Sequence, residues 1–192
     1  MKRLSNWLYA FSGGKLALGA LAVFLLFGAL VLPGQSALAA QYSGGLGLPD
    51  TSLPYSSQDL NAMAEAYGEA GREAYIRARF TFDLAFPLVY TFFFITSTSW
   101  LLGRTLPPAS PWRLLNLLPL AAMLLDFLEN TATTVVMARF PQPAPIAALL
   151  APPFSLLKWV LVGASFLLLM GAGIAYLIHR KKLKERLKIS HS

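Results

Sequence analysis

The chain reads as an all-α, polytopic membrane protein: a four-helix transmembrane bundle with a short amphipathic helix in its first external loop. Three observations predict this. Only 13% of the 192 residues are charged and 56% are hydrophobic, whereas a soluble domain carries about 25% charged residues. Four stretches, 15–32, 84–102, 114–138 and 154–178, approach the roughly 20 apolar residues that cross a hydrocarbon core. None shows the strict alternation of a barrel strand, so each span satisfies its backbone internally, as a helix. The expected division is an N-terminal span (1–40), an external loop (41–82), a three-helix core (83–179) and a basic tail (180–192).

The first span has two readings. Lys2, Arg3 and Lys15 precede an apolar run that ends in "LPGQSALAAQ", which has the form of a secretory signal with a cleavage site after Ala39. The apolar run is long for a signal core, and this favours an uncleaved helix. After it comes "QYSGGLGLPDTSLPYSS", rich in Gly, Ser and Pro and read as loop. Ser56 and Asp59 have the spacing of a capping box. Beyond them Leu60, Met63, Tyr67, Gly71, Ala74 and Ala78 recur at helical spacing, opposite Glu65, Glu69, Arg72, Glu73 and Arg77. That predicts one amphipathic helix running into span two, packed on the protein's own outer surface.

The short connection "GRTLPPASPW" makes spans two and three antiparallel neighbours. In span three Pro119 predicts a kink one to two turns before Asp126. The third connection, "RFPQPAPIAALLAPPF", reads as an interfacial loop, because an aqueous one would not need Ile146, Leu149 and Leu150. Orientation follows from the Lys/Arg bias. With both termini cytoplasmic, eleven Lys/Arg lie inside and five outside, namely Arg72, Arg77, Arg79, Arg139 and Lys158. A bacterial cytoplasmic membrane is the expected location.

Inventory narrows the function. The chain has no cysteine, which removes disulfides, thiol catalysis and Cys-ligated metals. Its two histidines, His179 and His191, both lie in the basic tail. No haem, iron–sulfur or nucleotide motif is present, and the cofactor stays unknown. The net charge of +7 is concentrated after the last span. That placement points to lipid headgroups as partners and away from nucleic acid. A homo-oligomer or a larger membrane complex stays open.

The residues that carry chemistry sit in "LLDFLENTATT", 124–134. Asp126, Glu129, Asn130, Thr133 and Met137 follow at three- and four-residue steps and share one helix face. An ionised side chain at mid-bilayer costs about 2.5–3.5 kcal/mol even on the lenient insertion scale. The two acids therefore need a proton, a cation or a polar cleft. Partners are available at the outer ends of the neighbouring spans: Asp83 and Tyr90 on span two, and Lys158 on span four, reaching inward along its apolar stem. The predicted ligand site is Asp83, Tyr90, Asp126, Glu129, Asn130 and Lys158, with Arg79 and Arg139 at its mouth.

Three functions fit these residues. The first is a pocket for a lipid or small ligand, or an accessory subunit. The second is a lipid-modifying enzyme with Asp126 and Glu129 as acid and base, or with Asp83, Asp126, Glu129 and Asn130 as weak candidates for divalent-metal ligands. The third is a proton- or ion-coupled carrier. Beside all three stands a structural reading, in which the acids pair with Lys158 only to lock helices together.

Overall fold

Eight α-helices carry the chain through a computed structural model that describes residues 1–189. The end of the predicted basic tail, with His191, lies outside the described residues. The helices are α1 (Lys2–Phe11), α2 (Gly14–Leu30), α3 (Leu32–Tyr42), α4 (Ser57–Ala66), α5 (Gly68–Arg79), α6 (Phe82–Thr105), α7 (Leu118–Arg139) and α8 (Pro145–Ile189). Short 3₁₀ turns occupy Pro49–Thr51 and Pro111–Leu117. No strand occurs among the described residues.

Four helical stretches are long and apolar enough to cross a membrane: Gly14–Tyr42, Gly68–Thr105, Pro111–Arg139 and Pro145–Glu185. Their outward surface agrees with that. Leu18, Leu26, Leu88, Leu124, Leu167 and Leu177 are all exposed.

Side-chain pairs give the directions. Along α6 and α7, Asp83 meets Asn130, Tyr90 meets Asp126 and Thr91 meets Pro119. Numbers rise on one helix as they fall on the other, so the two are antiparallel, as the short connection predicts. Phe24 of α2 stacks on Phe93 at 4.9 Å, and Phe27 on Phe82 and Phe86, so α2 also opposes α6. Phe166 meets Phe94 at 4.6 Å and Tyr176 meets Trp100 at 5.3 Å, so α8 runs parallel to α6.

The end of this assembly that carries Asp83 is covered by α4 and α5. The Ser56–Asp59 capping box forms, with the Asp59 carboxylate accepting from the Ser56 amide and hydroxyl. Those bonds hold the Asp59 carboxyl below its usual range. Leu60, Met63, Ala64 and Tyr67 of this region, with Tyr75 of α5, pack on Val136 and Met137 of α7 and on Ala148 and Ala151 of α8. The alanines keep the α8 surface low, which lets α4 approach closely.

Four sequence expectations change. The single helix over 60–78 is two helices, because the chain turns at Gly68, φ +63°, a backbone region that a glycine enters without steric cost. Pro119 does not interrupt α7. It lies in the first turn of α7, where its missing N–H has no intrahelical partner to lose. Residues 145–153, expected as loop, form the start of α8 despite Pro152 and Pro153, with Ala148 and Ala151 buried against neighbours. Helix α3 continues past the Pro33–Gly34 pair, with Pro33 near its N-terminus, where a proline is accommodated.

Helix α1 was not foreseen. It is tied down by a buried polar cluster at the other end of the fold. Ser5 Oγ donates to Asn116 Oδ1 at 2.7 Å, and Asn116 Nδ2 donates to Ser99 Oγ at 3.0 Å. Ser5, Ser99 and Asn116 are each no more than 1% exposed.

The packing of α4 gives a direct test. Leu60 is fully buried, so Leu60→Ala removes transfer energy and leaves a void, at a cost of about 2–5 kcal/mol. Thermal or denaturant unfolding in detergent measures it; an unchanged transition would detach α4 from the core.

Candidate functional site

The site is built on Lys158. Its ammonium sits 2.5 Å from Glu129 Oε2 and 3.5 Å from Asp126 Oδ1. The three side chains are 5%, 1% and 8% exposed as residues. Asp126 and Glu129 lie three residues apart on α7, so both carboxyls project from one face, and α8 delivers the cation between them. The space in which a divalent ion would bridge these two carboxyls is taken by the ammonium. No group of three or more Asp, Glu, His or Cys poised to hold a metal occurs among the described residues. The metal-ligand candidates Asp83, Asp126, Glu129 and Asn130 therefore meet as members of an ion-pair network.

A second charged pair joins the first through Asn130. Its Nδ2 donates to Asp126 Oδ1 at 3.4 Å and to the Asp83 carbonyl at 3.3 Å. Its Oδ1 accepts from Arg79 Nη1 at 3.2 Å. Arg79 in turn pairs with Asp83 at 2.9 Å and with Asp50 at 3.8 Å, and stacks over the Tyr75 ring at 4.4 Å. Tyr90 donates to Asp126 Oδ2 at 3.0 Å. All six predicted site residues, Asp83, Tyr90, Asp126, Glu129, Asn130 and Lys158, thus belong to one network.

Arg79 and Arg139 part company. Arg79 is 6% exposed and sits at the centre of the network rather than at a mouth. Arg139 is exposed at the end of α7 and borders a different hollow, between α7 and the start of α8. Other members carry no sequence signal of their own. Asp50 comes from the Gly/Ser/Pro-rich stretch and is positioned by a 3₁₀ turn, whose Asp50 carbonyl accepts from Trp159 Nε1 at 2.8 Å. Tyr55 donates to Glu129 Oε1 at 3.4 Å. Burial, and then the Glu129 carboxylate beside it, push the Tyr55 phenol upward in pKa, so it stays protonated and able to donate.

Next to this network lies a cavity of about 330 Å³. Arg79, Asp50, Asp83, Asp126 and Lys158 line it, together with Phe24, Phe86, Phe94, Val162 and Phe166. Leu32, Gln35, Ser36 and Ala39 of α3 supply a further wall. Glu129 does not line the cavity; it stands behind Lys158. The space is therefore amphipathic, lined by both charged and aromatic side chains. Pockets that hold small ligands have this mixture of apolar walls and a few convergent polar groups.

The Lys158 pair makes a separable prediction. Lys158→Met leaves two buried carboxyls without their cation and should destabilise the protein by about 3–5 kcal/mol. Adding Glu129→Gln to Lys158→Met should recover part of that loss, because an uncompensated charge is removed. Thermal unfolding of both variants in detergent checks this, and a double variant no more stable than the single one would contradict it. Comparison with protein-family models, with curated proteins and with solved structures gives no match to this chain, so the reading of the site rests on its own geometry.

Proposed function

We propose that the protein is an integral membrane protein whose four long helical stretches cross the bilayer as a bundle, with α4 and α5 forming an amphipathic cover on the outer side. Both termini are cytoplasmic in this reading, in a bacterial cytoplasmic membrane. The outer half of the bundle binds a lipid or another small amphiphile, with the headgroup at the Arg79–Asp83–Asp126–Lys158 end and the chain among the aromatic residues. The observation that carries this is the amphipathic cavity, with Asp126 and several phenylalanines in its wall. A purely structural lock of Glu129 on Lys158 needs no such space beside it. Service as an accessory subunit of a larger complex, or as a homo-oligomer, is compatible with the same pocket.

A lipid-modifying enzyme is the second reading. Asp126 favours it, since it reaches the cavity and accepts a hydrogen bond from Tyr90. Glu129 weighs against a two-carboxyl acid–base mechanism: it is 1% exposed and held by Lys158 and Tyr55. A carrier receives the least support. The polar groups at the other end of the fold, Ser5, Ser99 and Asn116, satisfy one another.

Native purification followed by mass spectrometry of co-purifying small molecules tests the binding reading. Val162 lines the cavity, whereas Val160 is 57% exposed and is not part of the lining. Val162→Trp should strip the bound amphiphile, and Val160→Trp should retain it. Equal retention in the two variants would remove the cavity from consideration.

A further inference from the structure

The proposed cavity has a charge preference that its neighbours impose. Four carboxyl groups, from Asp50, Asp83, Asp126 and Glu129, share two cations, Arg79 and Lys158. Each cation is already engaged by two of those acids. Three of the four acids, Asp50, Asp83 and Asp126, line the cavity, while Glu129 stays behind. Asp83, 7% exposed, is paired through Oδ2 with the Arg79 guanidinium at 2.9 Å. Asp50 Oδ1 is buried without a hydrogen-bond donor. Buried acceptors left without donors are costly, and a low-dielectric site with surplus acid is stabilised by an added positive charge.

The walls around these acids suit such a charge. Tyr42, Phe86, Tyr90 and Trp159 line the same cavity, and aromatic faces attract ammonium groups, most strongly where water is excluded. An anionic headgroup would meet the opposite situation. To reach Arg79 or Lys158 it would have to displace an acid already there, in a site where acids are in excess.

We propose, building on the reading of the cavity as an amphiphile site, that its preferred ligands carry a cationic amine headgroup. The ammonium lies among Asp50, Asp83 and Asp126, and the hydrocarbon chain extends along Phe24, Phe94 and Phe166. Arg79 Nε, buried without a hydrogen-bond partner, is left for an uncharged acceptor beside the amine, such as a hydroxyl or ester oxygen. The surplus of acid in the cavity wall thereby acts as the selectivity device, admitting amines and rejecting fatty carboxylates and phosphates of the same chain length.

Chain-matched probes test this on the full-length protein in a neutral maltoside detergent. Calorimetric titrations compare dodecyltrimethylammonium, dodecylammonium, dodecanoate and dodecyl phosphate, with Val162→Trp as the blocked control. Both ammonium probes should bind at least about tenfold more tightly than either anion, and Val162→Trp should abolish their binding. Asp83→Asn and, separately, Asp50→Asn should shrink the preference; the more peripheral Asp50 serves where the Asp83 variant fails to fold. Ammonium and anion affinities that are equal, yet lost in Val162→Trp, would overturn the headgroup inference and leave the cavity reading intact. Binding that survives Val162→Trp, or no binding by any probe, would overturn both.

Discussion

A charge taken out of water must be met by another charge or by hydrogen bonds, and this condition organises the whole interior. Lys158 satisfies it for Glu129 and Asp126 at once. Because the three side chains come from two helices, the condition also sets the axial register of α8 against α7. A slide of one helical turn, about 5.4 Å, would carry the ammonium beyond contact distance of Glu129 and leave a buried charge unmatched. The same logic reaches α6 and α5 through Asn130, which contacts Asp126, the Asp83 carbonyl and Arg79. One amide thereby joins two ion-pair groups that would otherwise be separate.

The cover made by α4, α5 and the segment that leads into them keeps this arrangement dry. Tyr55 closes over Glu129, and Tyr75 lies beneath the Arg79 guanidinium, so both charged groups meet aromatic surface rather than water. A drier surrounding strengthens each pairing and raises the cost of any group left over. Two buried atoms without a hydrogen-bond partner, Asp50 Oδ1 and Arg79 Nε, belong to residues of the cavity wall. In the proposed reading, stability and recognition fall to different members of one network: Glu129 and Lys158 fasten helices, while Asp50 and Asp83 face the ligand. In the proposed reading, α2 and α3 complete the binding space from the other side, which makes the N-terminal stretch part of the site.

Much of the site was legible because its residues lie on long helices. On α7 the spacing of Asp126, Glu129, Asn130, Thr133 and Met137 places all five on one face, and all five are buried. Position along a helix also told how deep each partner sits, so Asp83, Tyr90 and Lys158 could be placed in the outer half of the bundle before any contact was known. Signals that depend on local backbone were read less well. The spacing from Leu60 to Ala78 was read as one helix, yet the positive φ of Gly68 divides it into two. Pro119 was read as a kink because the start of α7 was placed four residues too early; the preceding turn is 3₁₀. Arg79 and Arg139 looked alike in sequence, and only packing shows one buried at the centre and the other exposed.

Composition and periodicity by themselves determined the all-helical class, the four stretches fit to cross a membrane and the polar face of α7, because those properties follow from each segment's own residues and its 3.6-residue repeat. Tertiary structure alone decided that Asp50 and Tyr55, from an irregular stretch far away in sequence, would close on that face, and that acids would outnumber cations there. The physical reason is that a loop's path has no period to read. It is set by which buried groups still lack a partner once the helices have packed.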